Sequence, residues 1–282
     1  MHIWDQDLYN LVVQVSKRDD EYKPDITQIK ALDLSKNTLH TLKGIENLTN
    51  LIDLNLKSTD LFQIEPIELQ RLASLKKLKV LDLSENNLKN ISFISSIPQL
   101  EVLNLKNNQI VKLKGLGQLT KLKILDLTNN KIYHADNLQN LTKLTELWLR
   151  NNWLSDINFI TGLTKLEYLD LSQNGLSNIS PLKEIKQLKN LDLSHNLIQS
   201  TKSLANMTKL EILLLNSNQL GQKISSLKNM CNLKELNLGF NSLRDADSLS
   251  QLKKLQRLNL EYNNFEIINP LENINRQDLI AK

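Results

Sequence analysis

The chain has 282 residues, of which 40% are hydrophobic and 5% aromatic, so its core must be aliphatic. Its formal charge of +4 comes from 35 basic and 31 acidic residues, a near balance that does not demand a nucleic-acid partner. Cys231 is the single cysteine, which excludes an intrachain disulfide and a cysteine metal cluster.

The first predicted element is an amphipathic helix near the N-terminus. Its apolar residues recur at the spacing of one helix face: Trp4, Leu8, Leu11, Val12 and Val15. The chain then enters a repeated pattern, and we expect this helix to lie across the first repeat. Such a lid would cover apolar residues and a strand edge that the end of a repeat array leaves open.

From residue 29 onward the pattern L-x-x-L-x-L-x-x-N-x-(L/I) recurs in eleven coils. The coils begin at Ile29, Leu51, Leu78, Leu100, Leu122, Leu144, Leu166, Leu188, Leu210, Leu233 and Leu255. In each coil, leucines that alternate with polar residues predict a short strand with one buried face. In the coil at Leu122, for example, Leu125 and Leu127 should point inward, and Ile124, Asp126 and Thr128 outward. Because the central coils are only 22 residues apart, extended or 3₁₀ segments should fill the return leg.

An asparagine stands at the ninth position of nearly every coil, where the chain turns away from the strand. An amide offers both donors and an acceptor, so it can tie one turn to the next. The sequence therefore predicts a structural ladder of Asn37, Asn86, Asn108, Asn130, Asn152, Asn174, Asn196, Asn218, Asn241 and Asn263. Thr59 interrupts it in the second coil, where its hydroxyl should do a reduced version of the same work.

Two coils are longer than the rest. The coil at Leu51 has 27 residues, and residues 64–75 predict a short helix that bulges on the convex side. The coil at Leu210 has 23 residues, with one added near Gly221. Insertions in repeat proteins sometimes carry binding, and the alternative is a tolerated surface loop.

The predicted domains are an N-terminal helical cap over residues 1–28, eleven repeats over residues 29–274, and a short C-terminal tail or minimal cap over residues 275–282. The apolar residues available for a C-terminal lid are Ile267, Ile268, Leu271 and Ile274. The alternative at this end is an exposed strand edge.

These coils carry the leucine-rich-repeat signature and resemble two families. The coil segment from Asn108 to Leu122 resembles the Sds22-type regulators of protein phosphatase 1, and Leu176-Ser-Asn-Ile-Ser-Pro-Leu182 is similar to bacterial internalin repeats. The resemblance implies an α/β fold, a right-handed leucine-rich-repeat solenoid. Its curved parallel sheet would form the concave face, and its convex side would be mostly extended or 3₁₀, with an N-terminal capping helix. Both families bind proteins on the concave sheet, which implies the same use here.

Catalytic residue types are present but are explained by the repeat. Two serines, a histidine and two aspartates cluster on neighbouring strands, namely Asp170, Ser172, Asp192, Ser194 and His195, yet Leu-Asp-Leu-Ser recurs in four coils. A flat strand face offers neither a pocket nor an oxyanion site, so we expect no enzymatic activity. The four histidines share no metal-ligand spacing, and we predict no metal and no cofactor.

The candidate binding site lies where the fifth position of a coil departs from its usual short acid or amide. Trp148 is the large exception and Leu214 the small one. Tryptophan, tyrosine and arginine together are typical of interface hot spots, although Trp148 could instead simply stack on its strand neighbours. The predicted partner-binding residues are Trp148, Arg150, Trp153, Glu146, Tyr168, Asp126, Asp170, Leu214, Phe240 and Tyr262.

The sequence therefore favours a non-catalytic scaffold or regulator that recognises a partner protein on its concave face around Trp148. The alternative is a polyanion-binding or membrane-surface protein that uses a rim of lysines near the coil starts, namely Lys77, Lys79, Lys121, Lys123, Lys143, Lys165, Lys189, Lys209, Lys234 and Lys254. No aromatic residues interleave with these lysines, which disfavours nucleic acid.

The expected assembly and location follow from the same residues. We expect a monomer, with a dimer through a strand edge as the alternative. No apolar run is long enough for a transmembrane segment, and residues 1–20 lack the apolar stretch of a secretory signal. We therefore expect a cytoplasmic protein, and the alternative is an effector exported without a classical signal.

Overall fold

The computed structural model describes residues 4–16, 25–265 and 279–280. The chain divides into two compact units, Met1–Ile132 and Tyr133–Lys282, called here the first and the second unit.

The first unit contains two α-helices and a parallel sheet. The helices are α1 (Gln6–Ser16) and α2 (Pro66–Leu69), and the strands are β1 (Ala31–Asp33), β2 (Asp53–Asn55), β3 (Val80–Asp82), β4 (Val102–Asn104) and β5 (Ile124–Asp126). Each strand pairs in parallel with the next at matching repeat positions, as in Leu81 opposite Leu103. The central leucine of every strand is buried.

The second unit continues the same pattern. Its strands are β6 (Glu146–Trp148), β7 (Tyr168–Asp170), β8 (Asn190–Asp192), β9 (Ile212–Leu214), β10 (Glu235–Asn237), β11 (Arg257–Asn259) and β12 (Leu279–Ile280). All are parallel, with matching positions in register, as in Leu147 opposite Leu169.

Short 3₁₀ turns form the return legs, as the 22-residue spacing predicts. In the first unit they span Ile26–Gln28, Ile45–Asn47, Leu61–Gln63, Gln70–Ser74, Ser92–Ser96 and Leu116–Gln118. In the second unit they span Asp136–Leu138, Asn158–Gly162, Ser180–Glu184, Lys202–Leu204, Ser225–Asn229 and Asp247–Gln251. The predicted short helix of the 27-residue coil is confirmed as α2.

The asparagine ladder has the predicted structural role. The side-chain amide of Asn130 donates to the carbonyl of Leu105 in the preceding coil at 3.0 Å and to that of Leu127 in its own coil at 3.0 Å. Its Oδ1 accepts the Ile110 backbone N–H at 3.0 Å. Asn130 is buried, so one amide satisfies turn groups of two coils that water cannot reach.

Thr59 makes fewer of these bonds, as its position in the ladder predicts. Its hydroxyl donates to the Leu56 carbonyl at 2.7 Å. The Asn86 amide of the next coil also donates to that carbonyl, at 2.7 Å, and its Oδ1 accepts the backbone N–H groups of Thr59 and Leu61. Asn108 makes the same bonds to its own preceding coil, so what the coil of Thr59 lacks is a side-chain amide of its own.

The predicted N-terminal helix packs on the first coil. Leu8 and Val12 are buried, and the backbone N–H of Asp5 donates to the Lys43 carbonyl at 3.0 Å. Trp4 lies directly on Gly44, where a Cβ would come within 2.6 Å of the indole and where φ is +103°. Only glycine tolerates both conditions.

At the far end, β12 pairs in parallel with β11, with Leu279 opposite Leu258. The edge of β11 is therefore paired with backbone, and whether this end of the array is capped or exposed stays a prediction. Ile267, Ile268, Leu271 and Ile274, which we expected to form a lid, lie outside the described residues. The proposed domain boundaries stay a prediction.

One predicted orientation is wrong. Thr128 was expected to point outward with Ile124 and Asp126, but it is buried. Thr128 follows β5, where the chain already turns, so strict alternation along an extended strand no longer applies to it. The outward side chains are those at the first and third positions of each strand, such as Ile124 and Asp126. These positions are called here the outer strand face.

Candidate functional site

The short acid or amide at the third position of most strands closes the turn that follows it. The Oδ1 atom accepts a hydrogen bond from the backbone N–H two residues later. The Thr128 N–H, for example, donates to Asp126 Oδ1 at 2.8 Å. The residues that do this are Asp33, Asn55, Asp82, Asn104, Asp126, Asp170, Asp192, Asn237 and Asn259. Sequence reasoning treated them only as outward polar residues. The turn after each strand was the signal for this local cap.

Trp148 and Leu214 occupy the same position and have no oxygen with which to accept that hydrogen bond. Both are half-buried. In these two coils a large apolar side chain therefore replaces the residue that caps the turn elsewhere. Departures of this kind from a consistent template are expected at functional sites.

Trp148 packs on a neighbouring aromatic ring instead of standing alone. Register places Trp148 beside Asp170 and Glu146 beside Tyr168 on adjacent strands. The Trp148 and Tyr168 rings are 4.9 Å apart with a 38° tilt. The alternative that Trp148 stacks on strand neighbours thus describes part of the geometry. Because Tyr168 is also half-buried, the pair forms a partly accessible aromatic platform.

Asp170 places a carboxylate beside this platform. Only 6% of Asp170 is exposed, and its Oδ1 accepts the Ser172 backbone N–H at 2.9 Å and the Ser172 hydroxyl at 2.6 Å. Burial raises the pKa of this carboxyl, and the charge of Asp192 adds to the effect, against the lowering by the Ser172 bonds and Arg150. Burial thus disfavours the charged carboxylate more than its hydrogen bonds and Arg150 favour it. A cation close to the carboxylate would therefore stabilise its charged form.

The other residues predicted around Trp148 lie at the margin of the platform. Arg150 is exposed, and its Nε donates to Gln173 Oε1 at 3.3 Å. Trp153 is 60% exposed and follows the ladder residue Asn152. Glu146 is half-buried on the same strand as Trp148.

Asp126 and Leu214 lie on other strands than Trp148 and Tyr168. Asp126 belongs to the first unit, on β5, where it caps the turn after its strand. Leu214 lies on β9 between Asp192 of β8 and Asn237 of β10.

Phe240 and Tyr262 form a second aromatic pair, in the turns after β10 and β11. Their rings stack at 4.2 Å and 16°, with 50% and 63% of the residues exposed. Both have left-handed backbones, with φ of 57° and 54°. Bulky residues are rare in that region because of steric strain. Sequence analysis named both residues but could not foresee their backbone conformation.

The lysine rim is interleaved with carboxylates. Lys79 and Lys123 both contact Glu101, at 2.8 and 2.6 Å, and lower the pKa of Glu101 from 4.5 to about 2, with Lys123 the larger cause. In the second unit Lys189 pairs with Glu167 and Lys234 with Glu211. Four of the ten lysines on the predicted rim are therefore paired with a carboxylate of a neighbouring coil.

Comparisons with known proteins agree with the repeat geometry. A family model described as leucine-rich repeats in two copies matches residues 76–116, 98–143 and 142–184, and a single-repeat model matches residues 229–247. The chain resembles the leucine-rich-repeat proteins, and its fold is a leucine-rich-repeat solenoid. No curated protein matches it.

Solved structures place this chain near the internalins. It is 28% identical to an internalin (inlF) from Listeria monocytogenes, with a TM-score of 0.79 over 92% of this chain and 82% of that chain. The functional domain of InlJ from Listeria monocytogenes matches at 24% identity and a TM-score of 0.75, over 91% of this chain and 54% of that one. The plant peptide hormone receptor RGFR1 in complex with RGF2 matches at 24% identity and a TM-score of 0.66, over 83% of this chain and 44% of that one.

The predicted solenoid fold and the resemblance to internalins are thereby confirmed, and the resemblance to Sds22-type regulators stays a prediction. Leucine-rich-repeat solenoids of this class are scaffolds that bind other proteins through extended surfaces. None of the helices in the described part of the chain has the length and apolar character that crossing a bilayer requires.

Among the residues that resemble a catalytic triad, Asp170 and Asp192 cap the turns after their strands. The Ser172 hydroxyl donates to Asp170, and His195 is exposed, with its Nε2 3.5 Å from the Asn216 amide nitrogen. Among residues 4–16 and 25–265, no group of three or more histidine, cysteine or acidic side chains could hold a metal ion.

Proposed function

We propose that this protein is a non-catalytic binding scaffold whose outer strand face around Trp148 recognises a partner protein that presents a cationic side chain. The loss of the turn cap at Trp148 is the observation that carries the proposal. Trp148 lacks the hydrogen bond that the other coils make at this position, and its large ring stays half accessible. These two features favour a role in binding over a role in the fold. In a solenoid this face is the concave surface.

The chemistry around Trp148 favours a cation. The faces of the Trp148 and Tyr168 rings attract an ammonium or guanidinium group. The Asp170 carboxylate lies in register beside Trp148 and is stabilised further by an added positive charge. An arginine or lysine of the partner would contact both, and Arg150 and Trp153 at the margin would supply rim contacts.

The aromatic stack of Phe240 and Tyr262, in the turns after β10 and β11, is a second exposed aromatic surface of the second unit. Exposed rings held in a strained backbone conformation cost stability, and stacking offsets only part of that cost. We assign this pair to a secondary contact with the partner. In the structural neighbour RGFR1, a repeat array of this fold holds a bound partner, RGF2.

A polyanion or membrane surface is less well supported, because Glu101, Glu167 and Glu211 are interleaved with the rim lysines. Binding through the rim would also weaken steeply as salt rises, whereas a desolvated aromatic anchor would not.

The test is capture of the partner from the native cell with matched variants. Trp148→Ala removes the ring, and Asp170→Asn removes the charge but keeps a cap of the kind that Asn104 and Asn237 form. Asp82→Asn is the matched control, because Asp82 accepts the Ser84 N–H and hydroxyl as Asp170 accepts those of Ser172.

We expect Trp148→Ala to weaken capture by about 2 kcal/mol or more, Asp170→Asn to weaken it less, and Asp82→Asn to leave it unchanged. Melting temperatures should change little. Normal capture by Trp148→Ala together with loss in Lys143→Ala would replace the aromatic site with the lysine rim.

A further inference from the structure

A recess beside α2 in the first unit lies outside the face proposed for the partner. Its volume is about 510 Å³. We propose that it binds a small amphipathic carboxylate, with the apolar body against buried leucine and phenylalanine side chains and the carboxylate at Lys89.

The recess arises from a difference in coil length. The coil that begins at Leu51 has 27 residues, whereas the next coil, at Leu78, has 22. The additional residues form α2, so the longer coil extends past its neighbour. The space between them is lined by Pro66 and Leu69 on one side and by Ser92 and Phe93 on the other.

The interior of the recess is apolar and preformed. Leu61, Leu69, Leu88 and Phe93 line it and are at least nine-tenths buried. Phe62 also lines it but remains 53% exposed, so its ring can still bury surface against a ligand. The volume is that of pockets that hold one small organic molecule, and the lining combines seven apolar residues with six polar ones.

Lys89 is the single charged residue of the lining. It forms no ion pair within the described part of the chain. Among the acids of the longer coil, Glu68 is paired with Arg71 at 2.8 Å. A ligand with one negative charge would therefore complement the recess, and the surrounding amides would solvate its oxygens.

The backbone around the recess argues against an extended peptide. The N–H groups of Leu61 and Leu88 already donate to Asn86 and Asn108 of the ladder. The Ile64 N–H donates to the Leu61 carbonyl at 3.1 Å. A peptide would find no row of open main-chain donors of the kind that strand addition uses, whereas a small ligand needs none.

The experiment titrates the full-length protein with decanoate, and in parallel with decanol and with a short peptide that ends in leucine. Calorimetry gives affinity and stoichiometry. Lys89→Gln and Phe62→Ala test the two halves of the site, and both residues are exposed enough to change without disturbing the core. Lys112→Gln is the matched control, an exposed lysine of the next coil outside the lining.

We expect one decanoate per chain, weakened about three- to fivefold by Lys89→Gln and about tenfold by Phe62→Ala, with Lys112→Gln unchanged. Decanol should bind more weakly than decanoate. The proposal would be overturned by any of four results. These are no saturable binding of decanoate, equal affinity for decanol, decanoate affinity unchanged in both variants, and a protein that binds the peptide but not decanoate.

Discussion

The interior ladder and the outer strand face follow the same repeat but tolerate departures differently. In the ladder, the one departure described above, Thr59, keeps a hydrogen bond to the same carbonyl that its neighbour Asn86 also contacts. On the outer strand face, Trp148 and Leu214 abandon the local cap altogether. Buried turn groups must be paired, whereas a strand end near solvent can lose one bond at small cost. The repeat therefore protects its interior and leaves its outer face free to vary for binding.

The largest effect should come from removing a ladder amide. Asn130→Ala leaves the buried backbone N–H of Ile110 without its acceptor and removes one side-chain donor from the Leu105 carbonyl, so we expect a loss of about 1–3 kcal/mol in the free energy of unfolding. Denaturant titration measures it. Lys112→Ala, an exposed change in the preceding coil, should stay within about 0.5 kcal/mol. A loss as small as that for Asn130→Ala would mean that water reaches the turn and that the interior is no more protected than the outer face.

The repeat, the strands and the interior ladder were predictable because each depends on side chains that recur at fixed spacing. The local caps were missed because the same Asp or Asn fits an outward polar residue equally well. Trp148 is half-buried because it packs on Tyr168, which lies two residues before its register partner Asp170. The repeat period does not predict this diagonal contact. The recess beside α2 could not be predicted, because it depends on the relative position of two coils. The sequence showed only that one of these coils has 27 residues.

A smaller effect of the opposite sign is expected on the outer strand face. Leu214→Asn should restore the cap that Asn237 forms on the next strand, and we expect a gain of about 0.5–1 kcal/mol in unfolding free energy. Ile212→Asn is the matched control, because it lies on the same strand and face but at a position that forms no cap. If both changes destabilise the protein equally, Leu214 contributes packing that outweighs the bond, and this coil gave up no stability for its apolar side chain.

Restoring the ladder should have a still smaller effect. Thr59→Asn adds a second donor near the Leu56 carbonyl, but Asn86 already donates to it. We therefore expect a change between zero and a gain of about 0.5 kcal/mol, less than a full hydrogen bond. Thermal unfolding would show it as an unchanged or slightly raised melting temperature. A clear loss would show that the threonine pocket is too small for an amide and that the interior tolerates less than the comparison suggests.

The last contrast between the two regions is in their response to pH. The ladder consists of neutral amides, whereas Glu101 on the lysine rim is an acid whose pKa is lowered from 4.5 to about 2 by Lys123 and Lys79. A carboxylate with a depressed folded-state pKa contributes stability that is present above its unfolded pKa and is lost as pH falls toward the folded value.

The difference in unfolding free energy between wild type and Glu101→Gln should thus be constant above pH 5, shrink between pH 4.5 and 2, and vanish at the lower end. Because Glu101 is half-buried and its lysine partners are exposed and screened by salt, the difference should be small and should fall further at high ionic strength. The loss in Asn130→Ala should not depend on the titration of Glu101 at all. A Glu101→Gln difference that persists unchanged at pH 2 would show that the glutamate acts through packing, and the division between a neutral interior and a titratable surface would fail.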